Sequence, residues 1–110
     1  NETTFRPFFQ GMLRGLAAIH ALHIAHRDVK PDNFMCSGPD NLVKLCDFGL
    51  STVVAPAKLA QDAQCGSVAG TAPYMAPEII KGMRYDTKVD TWSFGVTAHV
   101  LLTGRFLYEP

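Results

Sequence analysis

Apolar residues at Phe5, Phe8, Phe9, Met12, Leu16, Ile19 and Leu22 recur at spacings of three and four, the period of one helical face. Thr4 is placed to cap that helix, and Pro7 falls in its first turn, where a missing N–H donor costs little. His23-Ile24-Ala25 reads as a short extended piece. Asn33-Phe34-Met35-Cys36 and Leu42-Val43-Lys44-Leu45-Cys46 read as two strands, and Ser37-Gly38-Pro39-Asp40-Asn41 between them has the composition of a hairpin turn. From Ser51 to Gly70 the pattern dissolves into small residues without a sustained period, as in a functional or disordered loop. A short helix is expected over Ala76 to Ile80. A longer one starts at Asp86 or Thr87, runs through Leu102 and stops at Gly104.

That last helix carries Val89, Trp92, Phe94, Val96, Ala98, Val100, Leu101 and Leu102 nearly all round its circumference. Such a helix is either buried on every side or spans a membrane, and this one is too short to span. It should be a central core helix, yet one amphipathic helix and a hairpin cannot wrap it. Composition agrees. Charged residues are 18% of the 110, below the roughly 25% of typical soluble proteins, and hydrophobic residues are 47%. A domain this small has much surface to cover, so further chain is expected over part of its apolar surface.

Ten basic and ten acidic residues cancel, with neither sign clustered. The pattern excludes a nucleic-acid footprint and a polybasic membrane patch. Asn1-Glu2-Thr3-Thr4 is not a secretory n-region. Cys36, Cys46 and Cys65 are odd in number and form no C-x-x-C pair, so reduced thiols in an intracellular, cytoplasmic protein are expected. His20, His23 and His26 are spaced by three. On a continuous helix the first and third would diverge by about 120°, so no metal site is expected there.

Chemistry concentrates in His26-Arg27-Asp28-Val29-Lys30-Pro31-Asp32-Asn33, followed by Asp47-Phe48-Gly49. An acid, a lysine two residues on and a carboxamide five on share one polar loop. Phosphoryl transfer calls for such groups: a carboxylate for the attacking hydroxyl, a cation for the moving phosphate and oxygen ligands for magnesium.

In order along the chain, these two motifs, Gly70-Thr71, Ala76-Pro77-Glu78 and Asp90-x-Trp-Ser-Phe-Gly95 resemble the signatures of the eukaryotic protein-kinase C-lobe. The resemblance covers residues 1–110 as a partial kinase domain. It implies an α+β, protein-kinase-like fold: a mainly helical partial C-lobe with a short β-hairpin at the catalytic loop, the N-lobe and the later helices lying outside this chain. It also implies that Asp28 is the catalytic base, that Lys30 stabilises charge on the transferred phosphoryl group, and that Thr71 meets both. Asn33 and Asp47 would hold Mg2+, while Lys30, Asp32, Asn33, Met35 and Asp47 would form the ATP site, with Met35 under the adenine. His26 and Phe48 would belong to a stack joining the lobes, anchored by Asp90. Thr87-x-x-Asp90 equally matches a capping box. Glu78 would pair with an arginine beyond residue 110. Tyr74, Met75 and Pro77 would pack the docking segment.

The lysine two after the acid, with Thr71, resembles serine/threonine rather than tyrosine kinases. The implied function is transfer of the ATP γ-phosphate to serine and threonine hydroxyls of protein substrates, active in the full-length parent and not in the isolated 110 residues. The competing readings are a pseudokinase scaffold or allosteric partner and a small-molecule phosphotransferase of kinase-like architecture. Asp28, Lys30, Asn33 and Asp47 are all retained against the first, and Ala76-Pro77-Glu78 argues against the second. Arg27 and Ser67 suggest activation-loop phosphorylation, with Thr52 standing where some relatives carry a second basic partner. Asn33-Phe34-Met35, Asp47 to Ser51, Asp90 to Val96 and Leu101 to Gly104 resemble the calcium- and calmodulin-dependent group, so a calcium-linked regulator would lie outside this chain. Cys46 would border the nucleotide pocket.

Overall fold

A computed structural model describes residues 2–38, 42–54, 69–83 and 85–106. In order, they form helix α1 (Glu2–His20), strand β1 (Ile24–Ala25), a 3-10 turn (Pro31–Asn33), strands β2 (Phe34–Ser37), β3 (Leu42–Leu45) and β4 (Thr52–Val53), a second 3-10 turn (Ala72–Tyr74), and helices α2 (Pro77–Ile80) and α3 (Lys88–Thr103).

α1 buries the Met12 and Leu16 side of its stripe. Its start lies upstream of the expected one, so Thr4 is inside the helix rather than its cap, and Pro7 lies beyond the first turn. The proline therefore forgoes one interior hydrogen bond. The helix also closes earlier than its apolar period suggests. Leu22 N–H donates to Ile19 and His23 N–H to His20, both at 3.0 Å, and His23 turns left-handed at φ 59°. Leu22 is thereby carried out of the stripe and is 67% exposed. Glycine lets α1 sit close to β3: a methyl on Gly11 would lie 2.9 Å from Val43 Cβ, too near for real atoms.

The expected hairpin is present. β2 and β3 pair antiparallel in the register Phe34↔Leu45, Met35↔Lys44, Cys36↔Val43 and Ser37↔Leu42. Its turn residues 39–41 lie outside the described residues. A second antiparallel pair, Ile24↔Val53 and Ala25↔Thr52, draws β4 out of the stretch that reads as patternless loop. Two residues are too few to show a period. The Val54 N–H extends the ladder to the His23 carbonyl at 2.7 Å.

α3 begins on the Asp86 carboxylate, whose Oδ1 accepts the Lys88 N–H at 2.9 Å, while Thr87 makes no side-chain cap. It ends at left-handed Gly104, whose N–H reaches the Val100 carbonyl at 2.7 Å. Val89, Ser93, Val96 and Thr97 form its buried face together with Asp90. Burial on every side is not what this chain provides. Trp92 and Leu102 lie on the exposed side, because the described residues cover α3 mainly with α1 and the Ala72–Tyr74 turn. The Phe9 ring meets Phe94 edge-on at 6.0 Å across the α1–α3 contact.

Ala25, Val54, Ala76, Ile79, Tyr85 and Val89 make one buried cluster, with Met75 against it. Burying these side chains supplies roughly 1–3 kcal/mol each, and it draws together the segments that flank the polar loop. No described helix is long and apolar enough to cross a membrane.

Candidate active site

The loop from His26 to Asn33 is built around the carboxylate of Asp90, which is completely buried at the start of α3. Asp90 Oδ2 accepts the His26 backbone N–H at 2.7 Å, and Oδ1 accepts that of Arg27 at 2.9 Å. His20 Nε2 lies 2.9 Å from the same Oδ2. A buried carboxylate is tolerated only when such donors replace its water. The anchoring role implied for Asp90 is thus seen directly. The capping box that Thr87-x-x-Asp90 also matches is not formed: Thr87 makes no side-chain cap, and the Asp90 carboxylate is engaged by the loop amides and His20.

The His26 ring carries the constraint onward. Its Nδ1 accepts the Asp28 N–H at 3.1 Å, so its proton sits on Nε2 and is donated to the Cys46 carbonyl at 2.9 Å. Phe48 packs edge-on against the ring at 5.0 Å. Cys46 N–H donates to the Asn33 carbonyl at 2.9 Å, and its thiol lies 3.2 Å from the same oxygen. One imidazole therefore ties the Asp28 loop to the segment leading into Asp47. Cys36 and Cys46 are free thiols; Cys65 lies outside the described residues.

Asp28, Lys30, Asn33 and Thr71 meet. Lys30 Nζ donates to Thr71 Oγ1 at 3.0 Å, and the threonine hydroxyl donates to Asp28 Oδ1 at 2.8 Å. An ammonium can only donate and a carboxylate can only accept, so the hydroxyl has one orientation. Asn33 Nδ2 donates to the Asp28 carbonyl at 2.7 Å and more weakly to Oδ2 at 3.3 Å. Asp28 Oδ2 is left with room for a further donor. Fixing the amide nitrogen of Asn33 toward Asp28 also settles its flip and leaves Oδ1 as the side chain's acceptor.

Asp47 stands apart from this cluster. It is exposed, left-handed at φ 61°, and its Oδ1 accepts only the Gly49 N–H at 3.3 Å. No described trio of His, Cys, Asp or Glu side chains is grouped to hold a metal. The Asn33 and Asp47 oxygens nevertheless suit a hard cation such as Mg2+. Met35 is 59% exposed on the hairpin, an apolar side chain held out on a strand and available as a surface for another group. Asp32 is exposed. Burial, and secondarily the Asp32 charge, raises the Tyr74 phenol pKa above its ordinary value.

Arg27, left-handed at φ 69°, donates through Nε to the Leu50 carbonyl at 2.7 Å and through Nη1 to the Tyr85 hydroxyl at 2.8 Å. Ser67, its expected phosphate-bearing partner, lies outside the described residues. Thr52 is engaged in β4. Glu78 occupies the first turn of α2, half-buried. Ser93 Oγ is 2.5 Å from the Tyr74 carbonyl, fastening the Thr71 segment to α3. Ser93, Tyr85 and His20 escaped the sequence reading as site residues. Their partners are 19 to 70 residues away, and only the histidine spacing hinted at one of them.

Gly70 brings Thr71 to the loop. At φ 118° it adopts a backbone closed to L side chains, and a methyl there would lie 2.5 Å from the Arg27 carbonyl oxygen. Gly70→Ala is expected to destabilise the full-length protein by about 1–3 kcal/mol from backbone strain alone, read as a lowered urea midpoint. An unchanged midpoint would place the segment elsewhere.

The protein kinase domain model matches residues 1–110, and the chain belongs to that family. It is 40% identical to the serine/threonine-protein kinase SAPK3 of Oryza sativa subsp. indica over 99% of its length, covering 32% of that protein. It is 42% identical over 94% of its length to a probable myosin light chain kinase of Dictyostelium discoideum, covering 29% of it. The serine/threonine-protein kinase pkn2 of Myxococcus xanthus is 39% identical over 94% of the chain, which covers 13% of that relative. The chain thus spans at most about a third of these relatives, and its fold is a partial kinase-like one.

Proposed function

We propose that the full-length protein is a protein serine/threonine kinase that transfers the γ-phosphate of ATP to serine and threonine hydroxyls of protein substrates. The observation that carries the reading is the hydrogen-bonded set Lys30–Thr71–Asp28, with Asn33 bracing the acid from the other side. In the forward step the substrate oxygen bonds the γ-phosphorus, its proton passes to Asp28 Oδ2, and the bond to the β,γ-bridging oxygen breaks, releasing ADP. Thr71 holds Asp28 Oδ1 and thereby points Oδ2 at the incoming hydroxyl. Lys30 sets its positive charge one hydroxyl away from that carboxylate, through Thr71, where the transferred phosphoryl must pass. Asn33 Oδ1 and the Asp47 carboxylate would hold Mg2+, which when bound neutralises phosphate charge. The same site needs nucleotide contacts from outside these residues, so the isolated chain should be inactive.

The deciding experiment incubates the full-length protein with ATP, Mg2+ and peptides bearing serine, threonine or tyrosine. Phosphate on serine or threonine alone is expected; no transfer to any peptide would leave the pseudokinase scaffold. Asp47→Asn should weaken Mg2+-nucleotide binding on the order of tenfold, since it removes a charged oxygen ligand. Calorimetric titration with and without Mg2+ checks this, and an unchanged Mg2+ dependence would remove Asp47 from the metal site. Within the family we place the parent near the calcium- and calmodulin-dependent group and inside the cell. The grouping rests on Asp47 to Ser51 and Asp90 to Val96, and a probable myosin light chain kinase among its relatives accords with it. The location rests on the cysteine pattern.

A further inference from the structure

We propose that the groove between α1 and β3 is a docking surface for an acidic, leucine-bearing linear segment of a partner protein. The groove has a volume of about 440 Å³ and is lined on the helix side by Phe8, Gln10, Gly11 and Arg14, and on the strand side by Leu42 and Val43. No residue of the polar loop or of the Thr71 segment contributes to its walls. A partner held here leaves the Asp28–Thr71 set untouched.

Gly11 supplies no side chain to fill the groove, and a methyl there would already crowd Val43 Cβ at 2.9 Å. Leu42 is 60% exposed at the start of β3, and Phe8 is half-buried on α1. Apolar walls left open to water gain by taking an apolar side chain between them. Charge selects what carries that side chain. Arg14 stands exposed at the groove, Arg6 is exposed about two turns earlier on α1, and Lys44 is exposed on β3. From Phe5 to His20 and from Leu42 to Leu45 the sequence holds no aspartate or glutamate. No described carboxylate forms an ion pair with any of the three cations. Three cations are too few to hold a polyanion such as nucleic acid, and a polyanion would leave the apolar walls bare. An acidic peptide answers both features. Its leucine fills the space between Phe8 and Leu42, and a neighbouring carboxylate accepts hydrogen bonds from the Arg14 guanidinium.

The test uses the full-length protein and three fluorescein-labelled synthetic peptides. In the first, aspartates flank leucines; in the second, lysines replace the aspartates; in the third, serines replace the leucines. Fluorescence anisotropy is expected to show binding of the first alone, with affinity falling as ionic strength rises. Arg14→Glu should weaken that binding about tenfold, because a lost exposed ion pair and a new like-charge repulsion each contribute a few-fold. The same variant should gain affinity for the lysine peptide, which loss of a merely structural arginine would not produce. Leu42→Ser should weaken binding of the first peptide about tenfold through lost apolar contact, with the salt dependence unchanged. Both positions are exposed, and thermal melting confirms that each variant folds. Turnover of a short serine peptide should be the same in both variants as in the wild type. Equal affinity of the wild type and Arg14→Glu for the aspartate peptide would overturn the proposal. Failure of the full-length protein to bind that peptide would also overturn it and leave the groove to the protein's own chain. A protein without transferase activity would instead overturn the kinase reading, and the binding results would still decide what the groove takes.

Discussion

Asp28→Asn in the full-length protein is expected to cut turnover by roughly 10²- to 10⁴-fold, the range supplied by a general base, while nucleotide affinity stays within about twofold. The substitution keeps the volume and one oxygen, so Thr71 can still donate to it and the loop geometry survives. What it removes is the basicity of the second oxygen, the one that takes only the long Asn33 bond. The split between the two readouts is the informative part. Nucleotide is proposed to contact Lys30, Asn33 and Asp47, none of which depends on the Asp28 charge for its own placement except Asn33, whose shorter bond is to the Asp28 backbone carbonyl. Steady-state kinetics with a serine peptide and nucleotide titration check it together. A variant retaining most of its turnover would remove Asp28 as base.

Asp90→Ala is expected to cost about 3–5 kcal/mol, the penalty for breaking a buried charged network by deleting one partner. Alanine leaves the His26 and Arg27 N–H groups without their acceptor at a buried position, and each such group costs about 1–3 kcal/mol. Against a typical total stability of about 5–15 kcal/mol, this is enough to unfold a substantial part of the protein. The urea midpoint of the full-length variant reads the effect. A shift of less than about 0.5 kcal/mol would show that the loop holds its shape without the carboxylate. Turnover should collapse with stability here, whereas Asp28→Asn loses turnover alone, so the pair separates anchor from base.

Both predictions concern residues visible in the sequence, but they were visible for different reasons. Asp28, Lys30 and Asn33 lie within six positions, so their chemistry and mutual reach are carried by one short loop and its motif resembles a known one. The β2–β3 hairpin and the α1 stripe were readable on the same ground, since hydrogen-bond reach across a tight turn and helical periodicity are local properties. Ending α1 at His20 and pairing β4 with β1 were not readable. The first depends on a left-handed turn at His23 and the second on a two-residue ladder closed between Ala25 and Thr52, far apart in the chain.

Local sequence also assigned α3 its limits and its apolar girth, yet which face would be buried depended on α1, the Ala72–Tyr74 turn and the loop that came to rest there. Thr87-x-x-Asp90 illustrates the division. As a string it satisfies a helix cap, and nothing within four residues contradicts that. Only tertiary packing brought the His26 and Arg27 amides and the His20 ring to the carboxylate, and a buried charge takes the partners that cancel its lost hydration rather than the nearest ones in sequence. The sequence by itself thus determined the helix and hairpin elements and the reactive groups of the polar loop. The tertiary structure decided that Thr71 closes on that loop, that Arg27 and Asp47 stand in left-handed conformations, and that Asp90 is an anchor, because each of these is stabilised by contacts between segments far apart in the chain.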